Sequence, residues 1–309
     1  MMPEIWTGLL IFNKFLVYLG IAAGIGATAN MLLFTHHDAT AVRYDAIRKW
    51  HSSSCKYALL FIAIGFVANL ADFFVQTGNM SETGMTGMFE PMMLKMLWLS
   101  SVSTLTIVRA LAFALSAAMM LYVLRVPDPL NSKRKLVVFV VFALVVIIAL
   151  SASFALSGHT NTLEFGSVTF ITLHVALAFA WLGSLIPLIY ASYFFNNKEL
   201  FILMDRFGRY ASWGVAILLI AGTAMLIQLI PTIDVLLSST YGQLFIPKIG
   251  GVLALLIFAL AHQFVLVPRI LQQDKGHIKL RHSIMTEATI GLLVLITTSI
   301  VTTATGPPM

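Results

Sequence analysis

The sequence predicts an all-α fold, a polytopic membrane bundle of eight transmembrane helices, and three observations carry that reading. The chain is 59% hydrophobic and only 10% charged over 309 residues. It holds eight apolar runs of the length needed to cross about 30 Å of hydrocarbon, which takes about 20 residues of helix. Its basic residues gather in alternate connections between those runs. Backbone polar groups must be satisfied inside lipid, so the runs are helices, and they lack the period-two alternation of barrel strands.

The spans are expected near 8–34, 57–77, 96–122, 136–157, 167–193, 210–230, 244–267 and 283–303. Arg43, Arg48, Lys49 and Lys56 follow the first, and Arg125, Lys133, Arg134 and Lys135 the third. Lys198, Arg206 and Arg209 lie around the turn after the fifth, and Arg269, Lys275, Lys279 and Arg281 after the seventh. Fifteen of the nineteen Lys and Arg residues thus sit in these four connections. Basic loops stay cytoplasmic, which puts both termini and the loops after spans two, four and six outside. For a bacterial inner membrane, the termini are then periplasmic. The net charge of +6 follows this topology and does not mark a nucleic-acid surface.

The start, MMPEIWTGLLIFNKF, has no basic leader and reads as part of a retained first span, not as a cleaved signal. No linker longer than about 20 residues separates the spans, so a single membrane domain over 1–309 is expected. A 4+4 internal repeat divides it roughly into 1–130 and 131–309. GIAAGIGATAN of span one matches LAFAWLGSLIP of span five in position, and Arg109 after Ser101 matches Lys248 after Thr240. Four spans return the chain to its starting side, so such a repeat is parallel.

Ionisable groups inside spans are costly, face the bundle interior and usually have a partner. Lys14 and Asp72 both lie about 8–10 Å below the outer surface at 1.5 Å per residue. An ion pair between them is expected, with Asp72 as a cation stop the alternative. His262 and Glu287 lie at matching depth near the inner side, where a hydrogen bond would orient the imidazole. Arg109 and Lys248 are cationic groups of the outer half and not metal ligands. His159, in SFALSGHT, and His174, in FITLHVALAF, reach one outer layer; neutral imidazole there suits copper or haem iron. His36, His37, His51, His277 and His282 read as solvated loop residues. The single Cys55 excludes an internal disulfide and a cysteine zinc site, and is expected to be inert.

Six of the fifteen methionines, Met80, Met85, Met88, Met92, Met93 and Met96, crowd into the outer loop between spans two and three. Thioether sulfur is a soft ligand that selects Cu(I). If span three begins around Pro91, Met92 and Met96 share a face, and a mobile loop brings Met80, Met85 and Met88 over it. The bland reading, grease at an interfacial helix end, accounts for Met92, Met93 and Met96. It does not account for methionines set among Gly, Ser and Thr.

Over residues 151–300 the chain resembles the copper resistance protein D family of bacterial inner-membrane proteins. The resemblance rests on SFALSGHT, LHVALAFAWLGSLIPL, RFGRYASWGVAILLIAGTAM, STYGQLFIPKIGGVLALL, VLVPRI and RHSIMTEATIGLLVL. It implies eight helices and work alongside periplasmic copper-binding proteins in copper tolerance, with copper moved across the membrane, inward. His159, His174, Trp181, Tyr241, Gly242, Lys248 and Glu287 fall on positions that match the family's motifs.

Three functions follow. The first is Cu(I) import, with copper caught by the outer methionines, passed to His159 and His174, and released inward. No nucleotide-binding loop is present, so movement must follow a gradient, an ion or handover between partners. The second is a haem b protein, an electron carrier or oxidoreductase, from a similarity of the His174 and Lys248 segments to small membrane proteins of the protoporphyrinogen oxidase type. The third is a non-transporting copper sensor or partner subunit. Only the haem reading makes the chain an enzyme. The lipid bilayer is the certain partner, and homo-oligomerisation is left open.

Overall fold

Among the described residues, eight helices are long and apolar enough to cross a membrane, in the order the hydropathy predicts. The computed structural model describes residues 2–33, 42–81, 84–126, 129–156, 165–229, 232–273 and 275–304. The spanning helices are α1 (Met2–Leu33), α2 (Tyr44–Ser81), α4 (Ser101–Arg125), α5 (Lys133–Ala152), α6 (Phe165–Phe194), α7 (Asn197–Leu229), α9 (Thr240–Ala261) and α11 (Gly276–Ala304). Shorter elements are α3 (Pro91–Trp98), α8 (Ile233–Ser238) and α10 (Val267–Arg269), with a 3₁₀ turn at Met85–Phe89. No strand occurs among the described residues.

Two helices begin earlier than apolarity alone indicates. α2 starts at Tyr44 and α7 at Asn197, because their polar first turns are held by side-chain bonds. Trp50 is fully buried, and its Nε1 donates to the Pro187 carbonyl at 2.7 Å. At α7 a reciprocal cap forms: the Glu199 amide donates to Asn196 Oδ1 and the Asn196 amide to Glu199 Oε2, both at 2.9 Å. Each bond satisfies a backbone donor that a helix start leaves open. Glu199 also takes the Arg43 amide and Nε, each at 2.9 Å. Arg206 reaches the Leu33 carbonyl, and Arg281 bonds Ser192 while stacking on Tyr193 at 3.6 Å. The arginines of alternate connections therefore tie helix ends together at one end of the bundle, here termed the basic end.

The third span departs from expectation at the opposite end. The span expected near 96–122 starts later, at Ser101, because the chain breaks at Leu99–Ser100. Ser100 caps α4, its hydroxyl accepting from the Val102 amide at 3.2 Å. α3 is therefore a separate short helix lying against α2 and the start of α4.

α1 is the centre of the bundle and packs on α2, α6 and α11. Its glycines allow this. A Cβ on Gly20 would lie 2.8 Å from Gly65 Cα, and one on Gly26 would fall inside the Gly183 backbone. Small residues at such crossings let helix backbones approach closely, which is how packing holds helices together in lipid. One apolar core joins α1, α2, α4 and α5; a second joins Trp50 with α6, α7, α9 and α11. α7 and α9 bury only 11% and 6% of their most apolar stretches, so most of their apolar surface lies on the outside of the bundle.

Candidate functional site

The methionine segment is folded back on α2. Phe74 packs on Phe89 with ring centroids 5.8 Å apart, and Phe73 on Trp98 at 6.2 Å. The 3₁₀ turn and α3 set the methionines in register. Met85 and Met88 are three apart on a 3₁₀ turn, where side chains three apart eclipse. Met92 and Met96 are four apart on α3 and share its face. Met85 is 62% exposed and Met92 75%, with Met80 and Met96 also exposed and Met88 and Met93 half-buried. The sequence pattern placed these six thioethers together, and the structure turns most of them outward.

Below this array, near Phe73 and Phe74, lies Asp72, and here a correction is due. The expected Lys14–Asp72 ion pair does not form. Lys14 Nζ donates to the Thr302 carbonyl at 3.0 Å, and Asp72 Oδ2 accepts from Gln76 Nε2 at 2.6 Å. The competing partners are local: Gln76 stands one turn from Asp72, and α11 brings Thr302 beside Lys14. Asp72 Oδ1 is buried without a hydrogen-bond partner. Arg109 is buried, its Nε donating to Ser153 Oγ at 2.9 Å and its guanidinium lying 4.9 Å from the Phe154 ring centroid.

His174 belongs to the other core. Its Nδ1 lies 3.2 Å from the Leu218 carbonyl on α7. A carbonyl only accepts, so Nδ1 carries the proton, and it is the neutral tautomer so oriented that presents an Nε2 lone pair to a metal. Ligating histidines are held in this manner, with the second ring nitrogen on a backbone carbonyl. Gly222, one turn beyond Leu218, makes the room: a Cβ there would stand 2.9 Å from His174 Cε1. No described contact joins His174 to the methionine array, which packs on α2 and α4. His159, expected at the same level, lies outside the described residues.

The tightest polar cluster is near the basic end, where His262 and Glu287 meet as their depths predict. His262 Nδ1 is 3.0 Å from Glu287 Oε2, and Trp181 Nε1 donates to Glu287 Oε1, also at 3.0 Å. His262 Nε2 lies 2.8 Å from Ser283 Oγ. Both carboxylate oxygens are thus occupied, as a buried carboxylate requires. His262 opens a π turn, His262–Leu266, in which the Val267 amide bonds the His262 carbonyl five residues back. Pro268, which has no amide proton, follows directly, so regular i→i−4 bonding is already interrupted there. Such turns cluster at functional sites. The cluster forms one wall of a cavity of ≈ 330 Å³ between α6, α7, α9 and α11.

Tyr241 is buried, stacked on Phe245 at 6.0 Å, and Lys248 Nζ lies 4.9 Å from the Phe245 centroid. Gly242 cannot carry a side chain, since its Cβ would run into the Leu236 backbone of α8. Trp181 and Ser283 as partners of Glu287 and His262 were missed from sequence. Ser283 stands four residues before Glu287 on one helix face, a spacing that could have found it. No group of three His, Cys, Asp or Glu side chains that could hold a metal occurs among the described residues.

A family model for copper resistance protein D matches residues 202–301, and one for the copper resistance protein D-like N-terminal domain matches residues 2–167. Searches of curated proteins and of solved structures return no match.

Proposed function

The chain belongs to the copper resistance protein D family, and from that premise we propose that it carries Cu(I) across the membrane, from the methionine end to the basic end. The positive-inside pattern makes the methionine end periplasmic in a bacterial inner membrane and the movement an import. Periplasmic copper-binding proteins would then load it. The observation that carries this reading is the exposed thioether array, two spaced pairs on a 3₁₀ turn and a short helix, at the end of the bundle away from the arginines. Soft, uncharged ligands in a polar setting capture Cu(I) and reject harder ions.

His174 is the receiving ligand, its Nε2 kept available by the Leu218 carbonyl. Copper here is cargo, so weak, successive ligands serve better than a closed site. The His262–Glu287–Trp181 cluster stands at the far end, where an imidazole can hold or pass on a proton as charge crosses.

Replacing Met85, Met88 and Met92 together by Ala is expected to weaken Cu(I) binding by at least about tenfold, since losing even the hydrogen-bond partners that orient a metal's ligands costs that much. Cellular copper accumulation should fall with it. Unchanged Cu(I) affinity in the triple variant removes the array from the route.

His174 can be tested without removing it. Gly222→Ala puts a methyl against the imidazole and displaces it from Leu218. Copper uptake should drop by about tenfold while the melting temperature stays close to the parent's. Uptake at the parental rate would show that the ring's placement is irrelevant to transport.

A further inference from the structure

We propose that the cavity of ≈ 330 Å³ between α6, α7, α9 and α11 binds an isoprenoid quinone, a neutral ring on an apolar tail, taken up sideways from the membrane. This goes beyond copper and needs neither the methionine array nor His174.

The entrance follows from helix packing. α7 packs chiefly on α6 and α9 chiefly on α11, so the two flank the cavity without closing on each other. Three residues of its wall, Leu219 of α7, Leu260 of α9 and Phe264 of the π turn, are 39%, 58% and 72% exposed. The edge of the cavity therefore reaches the outside of the bundle within the spans, where the surroundings are lipid. The α7 wall runs from Met204 to Leu219, about 22 Å of helix at 1.5 Å per residue. That length suits a head with a stretch of tail, and the volume lies in the range of small-molecule sites.

The lining selects the head. No Lys or Arg lines the cavity and Glu287 is its one carboxylate, so an acidic head, such as that of a fatty acid, is repelled. The Glu287 oxygens are held by Trp181 and His262, and the other nitrogen of His262 faces Ser283. This cluster has no open ligand for a metal. Gln263 is the polar group left over: it lines the cavity and makes no hydrogen bond among the described residues. Gly208 of α7 makes room for it, since a Cβ there would run into the Gln263 amide. The π turn that opens at His262 thus sets this amide across the cavity, against α7.

An amide N–H seeks a carbonyl oxygen, and a donor left unmatched in an apolar site costs free energy. The rings of Trp181 and Phe207, on neighbouring helices, line the same space. Aromatic walls favour a flat ring over a saturated chain. A quinone meets each condition, being neutral, planar, carbonyl-bearing and apolar-tailed. Binding is the whole of the proposal; no bond forms or breaks.

The test uses the full-length protein in lipid nanodiscs without copper, with an azido derivative of decylubiquinone as photoreactive probe. Mass spectrometry of labelled peptides should place the adducts within 204–219 and 256–267. Excess decylubiquinone should remove them, and equal concentrations of decanol or oleate should not. Ala211→Phe puts a ring into the cavity from α7 and should abolish labelling. Gln263→Leu nearly keeps the side chain's size and should weaken decylubiquinone binding about fivefold, the worth of one hydrogen bond, at the parent's melting temperature. It reads the site even if Ala211→Phe does not fold. The proposal is overturned if adducts spread over all the outward-facing helices, or if decanol or oleate protects as well as the quinone. It is also overturned if either folded variant binds decylubiquinone as the parent does. None of these results bears on copper, and a protein that fails to move copper leaves this site standing.

Discussion

Gly183→Ala is expected to abolish a stable fold. The added methyl would lie inside van der Waals contact of the Ala22 carbonyl, on the crossing where Gly26 already touches the Gly183 backbone. The obstacle is backbone, not the end of a flexible side chain, so α1 and α6 must part. These two helices join the two apolar cores, and parting them opens both. The cost should exceed about 4 kcal/mol, the range of overpacking with strain. Gly250→Ala is the control, because nothing lies within 4 Å of its Cβ position. Thermal unfolding in detergent with size-exclusion chromatography reads the difference. A monodisperse Gly183→Ala protein that melts with the parent would show that the crossing is looser than described.

Glu287 gives the second large effect. Glu287→Ala leaves the Trp181 and His262 donors buried without an acceptor and should cost about 3 kcal/mol, as breaking a buried pair does. Glu287→Gln should stay within about 1 kcal/mol of the parent. Its amide oxygen can accept from Trp181, and its amide nitrogen can donate to His262 Nδ1 once the imidazole proton moves to Nε2 and faces Ser283. Stability and transport then separate. If the carboxylate charge serves copper movement, the Gln protein melts like the parent and transports poorly. Equal melting of the Ala and parent proteins would dissolve the structural part of this account.

Much of this was legible because hydrophobic length and loop charge are summed over many residues. The eight spans and the arginine-rich end follow from such sums, and individual errors cancel. Helix starts were not legible at α2 and α7, where Trp50 and Glu199 stabilise polar turns through partners more than a hundred residues away, Pro187 and Arg43. Depth predicted that His262 and Glu287 could meet, and they do. The same depth argument failed for Lys14 and Asp72, since depth fixes a layer but not an azimuth. α11 places the Thr302 carbonyl beside Lys14, and Gln76 reaches Asp72 along its own helix. The methionines were visible as composition, but the break at Leu99–Ser100 that sets α3 apart depends on one serine cap. Cys55 was legible as a single thiol, and the structure buries it in the core of α1, α2 and α4.

The central claim, that the chain moves Cu(I) from the methionine end to the basic end, is tested most directly by flux. The purified protein is reconstituted into sealed vesicles with a Cu(I)-responsive reporter inside, and orientation is assigned by labelling an added cysteine at the basic end. The parent should carry Cu(I) inward from the methionine face. His174→Ala and the triple variant of Met85, Met88 and Met92 should each lower the rate by about tenfold or more, with reconstitution unchanged. Vesicles holding folded parent protein that admit copper no faster than empty ones would contradict the account and favour a non-transporting copper protein.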